Sequence, residues 1–209
     1  MAKHIGIVAC SAPGAALCYR TLCDEAPQQM GPHQHPEITL HNHPLGRYMP
    51  AIRAGAELAI CPDNTIHAAF DQVEPRSPIP WLHIARVVGA EARRRGFRRL
   101  GILGTRSLME GPVYPGALEP LGIEPLQPTA AQREQIDRMI FDELVAGVFR
   151  DETRAAFHEI IDTLRDGGAN AAVLGCTEIP LVVDPATASL PTLDSTRLLA
   201  RAALAAALA

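Results

Sequence analysis

Lysine is almost absent from this chain, since Lys3 is the only one beside eighteen arginines. An enzyme that uses pyridoxal phosphate holds its cofactor through a buried, well-placed lysine. Lys3 immediately precedes the first apolar run and is a poor candidate for that task. The composition therefore argues against pyridoxal phosphate chemistry.

Aromatic residues and long apolar runs are also scarce. Aromatics make up 4% of the chain and the formal net charge is −4, so the basic, ring-bearing surface typical of nucleic-acid binding is not indicated. No apolar run approaches the roughly 18 residues of a membrane span, and the first run is too short for a secretory signal. We expect neither nucleic acid nor membrane as a partner.

The cysteines and histidines lack the spacing of metal or disulfide sites. Five cysteines occur without any C-x-x-C pair, which is typical of thiols in a reducing cytoplasm. Two His-x-His pairs are present, but zinc needs three or four convergent ligands, so we expect no metal. These histidines are His33, His35, His41 and His43. No nucleotide-binding glycine motif occurs either.

Short apolar runs alternate with helical patterns, which predicts an α/β fold with mostly parallel strands. The predicted strands cover residues 4–10, 37–40, 57–61, 100–103 and 171–175, and the predicted helices cover residues 13–25, 83–95, 130–146, 152–166 and 196–208. Thr129, Asp151 and Ser195 are predicted to precede helices as N-caps, and Gly96 and Gly167–Gly168 to end them.

The pattern repeats, which predicts two pseudo-symmetric α/β halves over residues 1–95 and 96–190, with the helix at 196–209 packing on the first. In each half an apolar strand runs into a polar cluster, at residues 59–65 and 173–178. Ligands of such sheets bind beyond the carboxyl ends of the strands, so we expect the active site in the cleft between the halves. The connection over residues 44–56 is short for a crossover, which indicates a truncated helix or missing residues.

Four segments together resemble the aspartate/glutamate racemase family. They are Gly175-Cys176-Thr177-Glu178, Asn64-Thr65-Ile66-His67, the turn over residues 5–13, and Leu193-Asp194-Ser195. The resemblance implies a cofactor-independent amino-acid racemase, an isomerase of two pseudo-symmetric domains. It further implies acidic amino acids (aspartate and glutamate) as default substrates and a cytoplasmic homodimer.

The resemblance also implies one proton-transfer residue per domain, on opposite faces of the substrate α-carbon. In most members both are cysteines, the first within P-C-N-T. Cys176 keeps the second position, but Asp63 replaces the first cysteine, within Cys61-Pro62-Asp63-Asn64-Thr65. Asp63 has three interpretations: an acid opposite Cys176, a group that binds the substrate ammonium, or a helix N-cap. Cys61 is interpreted as a core thiol.

Other residues match positions that hold or orient the substrate. The resemblance assigns substrate carboxylates to Asn64, Thr65 and Thr177, and an arginine for an acidic side chain to the region of Arg47. Ser11 and Thr105, in the two strand-to-helix turns, add hydroxyl donors. Glu178 and His67 are predicted to orient the catalytic groups from behind. The alternative for each residue is a structural role in a turn, at a helix cap or at the solvated surface. Asn, Thr and Ser are common in turns and caps.

Two other functions stay open from the sequence. One is a single-cysteine member of the family, such as an arylmalonate-type decarboxylase or a maleate-type cis–trans isomerase, because one proton donor suffices to protonate an enediolate from one side. The other is a non-catalytic protein that binds a small carboxylate.

Overall fold

A computed structural model describes residues 2–8, 12–32, 34–41 and 55–209 of the protein. The chain divides into two compact units: unit 1 comprises Met1–Val87 and Thr196–Ala209, and unit 2 comprises Val88–Ser195. The short connection expected over residues 44–56 lies almost wholly outside the described residues. None of the described helices has the length and the hydropathy needed to cross a bilayer.

Unit 1 is built on a parallel sheet of the strands β1 to β4. They are β1 (Ile5–Val8), β2 (Ile38–His41), β3 (Leu58–Ile60) and β4 (Trp81–Leu82), in the order β2-β1-β3-β4. The helices of this part are α1 (Ala12–Glu25), α2 (Pro27–Met30), α3 (Phe70–Val73) and α4 (Ile84–Arg94), the last reaching into unit 2, with 3-10 turns at Thr65–Ala69 and Glu74–Arg76.

Unit 2 repeats the same strand order. Its strands are β5 (Arg99–Leu103), β6 (Glu124–Leu126), β7 (Ala171–Leu174) and β8 (Thr192–Asp194), parallel and in the order β6-β5-β7-β8. Its helices are α5 (Arg106–Glu110), α6 (Val113–Leu118), α7 (Ala130–Asp142) and α8 (Asp151–Asp166), with 3-10 turns at Glu119–Leu121, Leu144–Ala146 and Ile179–Leu181. The helix α9 (Ser195–Leu208) follows. Two parallel sheets of equal topology confirm the predicted fold class.

The core of unit 2 forms around one face of α8. Phe157, Ile160, Ile161 and Leu164 recur at helical spacing and are buried in one cluster with strand residues such as Leu174. Acidic residues occupy the first turn of α8 and a basic residue its last turn, an arrangement that the helix dipole favours.

The core of unit 1 joins segments from far apart in the chain. Ile5 and Ile7 of β1 share a buried cluster with Leu22 of α1 and with one face of α9. That face consists of Leu199, Ala200, Ala203, Leu204 and Ala207. The small alanines allow α9 to lie close to its neighbours, and the apolar face that the sequence shows is thereby covered.

Some of the predicted helix caps are present in the structure and others are not. Thr129 is confirmed as the N-cap of α7, where it forms a capping box with Gln132. Gly96 is confirmed beyond α4 with φ +77°. Asp151 is wrong as a cap, because it is the first residue of α8 and Arg150 precedes it without a side-chain cap. Ser195 likewise begins α9, and its hydroxyl donates elsewhere.

Candidate active site

The carboxyl edge of the unit 2 sheet carries the candidate cysteine. Cys176 comes two residues after β7, and Thr105 comes two residues after β5. These strands are paired neighbours, with Leu103 opposite Leu174, and Asp194 ends the next strand opposite Leu174. Parallel strands present their carboxyl ends at one edge, so the three polar side chains arise at the same edge of the sheet.

Gly175 fixes the position of Cys176 against the sheet. Its amide donates to the carbonyl of Leu103 at 2.8 Å. A Cβ at this position would lie 2.6 Å from the Leu103 oxygen and 2.7 Å from Cδ2 of Leu108. Because both distances are below any real contact, only glycine lets the end of β7 approach β5 this closely.

The thiol of Cys176 is held by a buried carboxylate. Its Sγ donates to Oε2 of Glu178 at 2.9 Å, and the hydroxyl of Thr177 donates to the same oxygen at 2.6 Å. Glu178 is 3% exposed and Thr177 is 5% exposed, while Cys176 is half-buried. A thiolate and a carboxylate at this separation would repel each other strongly.

Tyr114 and Ser195 support this edge from inside the unit. The Ser195 hydroxyl donates to the carbonyl of Leu174 at 2.9 Å, and the Tyr114 phenol is hydrogen-bonded to Ser195. Both side chains are fully buried, and burial raises the pKa of Tyr114 far above its ordinary value. Tyr114 could not be predicted from the sequence, because a tyrosine in a short helix carries no motif.

Thr105 has a capping role in the structure. Its hydroxyl oxygen accepts from the Leu108 amide at 3.3 Å, at the start of α5. In the same turn, the Arg106 amide donates to Oδ1 of Asp137, a residue of α7, at 2.7 Å. The geometry therefore supports the capping role of Thr105. A contact between its hydroxyl and the substrate stays a prediction.

In unit 1, the polar cluster after β3 opens a 3-10 turn. Asp63 is half-buried, and its Oδ1 accepts from the Ile66 amide at 3.1 Å. The side chain of a helix N-cap makes the same contact. One carboxylate oxygen of Asp63 therefore has the geometry of an N-cap, which was the third interpretation of this residue. Asn64 is 3% exposed and Thr65 is half-buried at the first positions of the same turn.

His67 is a buried, neutral imidazole behind Asp63. Its Nε2 lies 3.0 Å from the carbonyl oxygen of Cys61. A carbonyl only accepts, so Nε2 carries the proton and Nδ1 is an acceptor, for which the described part of the chain offers no partner. Burial lowers the pKa of His67, and its ring stacks on Phe70 with centroids 4.9 Å apart.

His83 is a second imidazole at this edge, at a position where the sequence predicts only the start of a helix. It directly follows β4, whose Leu82 is paired with Ile60 of β3. Burial, then the neighbouring His67 and the Arg86 guanidinium, lower the pKa of His83 to about 3. A polar residue at a strand end was the available signal, but β4 has only two residues.

Two predicted binding residues, Ser11 and Arg47, lie outside the described residues, as do His33, His43 and the side chain of His41. Within the described ranges no three His, Cys, Asp or Glu side chains converge as metal ligands. The described cysteines, which are Cys18, Cys23, Cys61 and Cys176, form no disulfide.

Two like parallel sheets, each with a polar cluster beyond its strands, define an α/β enzyme of two related domains. The Asp/Glu/Hydantoin racemase family model matches residues 19–203, so the chain belongs to this family. Racemases are isomerases, and the chain is accordingly an enzyme of the isomerase class.

Individual relatives agree with this membership. A candidate Asp/Glu racemase from Yersinia pestis is 30% identical with a TM-score of 0.88, over 99% of this chain and 100% of that one. An aspartate racemase homologue from Pyrococcus horikoshii is 26% identical with a TM-score of 0.85, over the same shares. The broad specificity amino-acid racemase RacX of Bacillus subtilis is 21% identical over 75% of this chain and 67% of its own length.

Proposed function

We propose that the protein is an amino-acid racemase that removes and returns the substrate α-proton without a cofactor. The observation that carries the proposal is the Cys176 thiol, which is bonded to the buried Glu178 carboxylate at the carboxyl edge of a parallel sheet. Racemisation needs a base that is strong enough for an α-proton yet protonated again within each cycle. A thiol that shares its proton with a carboxylate suits both needs.

The proposed cycle keeps its protons balanced. Glu178 takes the thiol proton, and the Cys176 thiolate then removes the α-proton, which leaves an enediolate on the substrate carboxylate. A protonated Asp63 returns a proton to the opposite face, and the next turnover in the reverse sense restores both groups. Racemisation therefore requires Asp63 to use a carboxylate oxygen that does not serve the Ile66 amide.

Substrate carboxylates are assigned to short polar side chains at both sheet edges. The proposal gives this role to Asn64, Thr65 and Thr177, with additional hydroxyls from Ser11 and Thr105. Arg47 holds the side-chain carboxylate of an acidic substrate, because a guanidinium matches a carboxylate in geometry and charge. The proposed substrates are aspartate and glutamate, and the similarity to an aspartate racemase homologue from Pyrococcus horikoshii supports the first of them.

A second candidate is one-sided proton chemistry by Cys176 alone, as in a cis–trans isomerase or a decarboxylase. The capping contact of Asp63 favours it, because a carboxylate committed to the Ile66 amide is less available for proton transfer. The two candidates differ in stereochemistry: a racemase produces both hands, whereas a single donor protonates one face.

Exchange of the α-proton in deuterium oxide, followed by proton NMR with L- and D-aspartate and glutamate, tests the proposal. The variants are Cys176→Ala and Asp63→Asn, with Cys23→Ala as a matched control, since Cys23 is a half-buried thiol of α1. We expect exchange with inversion in the wild type and the control, and its loss in both site variants. Exchange with retention, lost only in Cys176→Ala, would establish the second candidate.

The remaining expectations belong to the same proposal. They are a cytoplasmic homodimer that takes a small carboxylate substrate and needs no cofactor. Sedimentation equilibrium of the purified protein tests the dimer, and full activity after exhaustive dialysis against a chelator tests independence from added groups.

A further inference from the structure

We propose that His83 donates a hydrogen bond from its Nε2–H to a carboxylate of the substrate during removal of the α-proton. The inference rests on the proposed function and adds to it a recognition group of unit 1. It concerns a residue outside the motifs that carry the family resemblance.

The position of His83 follows from the register of the sheet. Leu82 of β4 lies opposite Ile60 of β3, so the residues that follow these two strands leave the sheet at the same edge. Cys61, Pro62 and Asp63 follow β3, and His83 follows β4. The imidazole therefore arises on the strand next to the one that presents Asp63.

One ring nitrogen of His83 faces the backbone of α4. Its Nδ1 accepts from the Arg86 amide at 3.4 Å, in the first turn of α4. In the tautomer that this contact favours, Nδ1 carries no proton and the proton is on Nε2; the inference uses this tautomer. Across the described ranges, no group is hydrogen-bonded to this Nε2, and the half-buried ring retains access to solvent.

Aromatic contacts fix the orientation of the ring. The His83 centroid lies 4.5 Å from that of His67 at 59°, and 4.8 Å from that of Phe70 at 67°. His67 is itself anchored to the Cys61 carbonyl, and the Arg86 guanidinium lies 5.7 Å from the Phe70 centroid. A donor held this firmly needs little reorganisation when charge develops on a ligand, which is the condition for electrostatic catalysis.

A neutral donor suits this reaction better than a cation. An imidazolium would bind the substrate carboxylate strongly before the reaction, which lowers KM without lowering the barrier. A neutral N–H gains most of its hydrogen-bond strength when the enediolate forms. The low pKa of His83 agrees with a ring that stays neutral at physiological pH.

The competing explanation is purely structural, because Nδ1 alone suffices to cap α4. Two amide variants separate the roles. In His83→Asn the short side chain keeps an acceptor for the Arg86 amide but has no group at the Nε2 position. In His83→Gln the longer side chain places an N–H near the Nε2 position and weakens the cap.

For His83→Asn we expect a thermal midpoint within about 2 °C of the wild type and a loss in kcat for α-proton exchange of about 10² with little change in KM. His83→Gln should keep kcat within about tenfold despite a lower midpoint. Wild-type kcat in His83→Asn refutes the inference. A loss of kcat that is equal in both variants and parallels the change in their thermal midpoints also refutes the inference.

A binding measurement separates this inference from the proposed function. Protein with ¹⁵N-labelled imidazoles is titrated with malonate, a dicarboxylate, and the His83 Nε2 signal is assigned by its absence in His83→Asn. A shift of that signal supports the donor role, and an unmoved signal at saturating malonate refutes it. If the wild type exchanges no α-proton, the proposed function falls, and the Nε2 signal still decides the role of His83.

Discussion

Replacing Glu178 with Gln should slow catalysis while making Cys176 more reactive towards an alkylating agent. In the wild type one carboxylate oxygen accepts from both the Cys176 thiol and the Thr177 hydroxyl, at 2.9 and 2.6 Å. Gln has nearly the same shape and still accepts these bonds through its carbonyl oxygen. It carries no charge and cannot take the thiol proton.

The two effects have separate magnitudes. Two unit charges at the 2.9 Å of this contact repel by about 1.4 kcal/mol at the dielectric constant of water and about 6 kcal/mol at an effective value of 20. Removing the carboxylate charge therefore favours the thiolate by at least about tenfold. Loss of a general base typically slows the chemical step by about 10² to 10⁴.

The assay measures both quantities on the same variants. Iodoacetamide modification of Cys176 is followed by peptide mass spectrometry, with Cys23 as the internal reference, and α-proton exchange is followed by NMR. Glu178→Asp, which keeps the charge, serves as the control for both rates, and Thr177→Val, which keeps the thiol contact, serves as a control for the alkylation rate alone. If Glu178→Gln leaves both rates at wild-type values, the carboxylate only fills space and the reasoning is refuted.

Three further predictions follow from single contacts. Gly175→Ala should abolish exchange and destabilise unit 2 by about 1–3 kcal/mol, since its Cβ meets the Leu103 carbonyl oxygen at 2.6 Å; a stable, active variant would contradict this. Ser195→Ala should cost about 1–3 kcal/mol in urea unfolding, because it leaves the Leu174 carbonyl and the Tyr114 phenol short of a partner; an unchanged midpoint would argue against the network. The wild-type unfolding free energy should fall between pH 7.5 and pH 5, because unfolded imidazoles bind protons below about pH 6.5 while folded His83, facing His67 and Arg86, stays neutral. His83→Asn should flatten that slope, and an identical slope would disprove the assignment.

The fold class could be predicted because the central strands are continuous apolar runs. Ile5–Val8 and Ala171–Leu174 are fully buried, and each pairs with a strand on both sides. The missed strands β4, β6 and β8 lie at sheet edges and have two or three residues. β6 even contains Pro125, which an edge strand tolerates because one side needs no amide donor.

The candidate site was predictable where chemistry is local in sequence. Cys176, Thr177 and Glu178 are consecutive, and their contacts with one another follow from a single turn. His83 and Ser195 are different, because their partners are set by strand pairing and by packing of separate elements. Asp63 falls between the two cases: its position follows from the motif, whereas its bond to the Ile66 amide needed the structure.

Unit 1 draws its core from segments on both sides of unit 2 in the sequence, and this has a consequence for synthesis on the ribosome. Ile5 and Ile7 are translated before unit 2, but the face of α9 that covers them is translated after it. Lys3 also bonds through its amide and its ammonium to the carbonyl oxygens of Ala207 and Ala206. Unit 2, by contrast, is one uninterrupted segment from Val88 to Ser195. We expect unit 2 to reach its native packing before unit 1, because the core of unit 1 is incomplete until α9 has been translated.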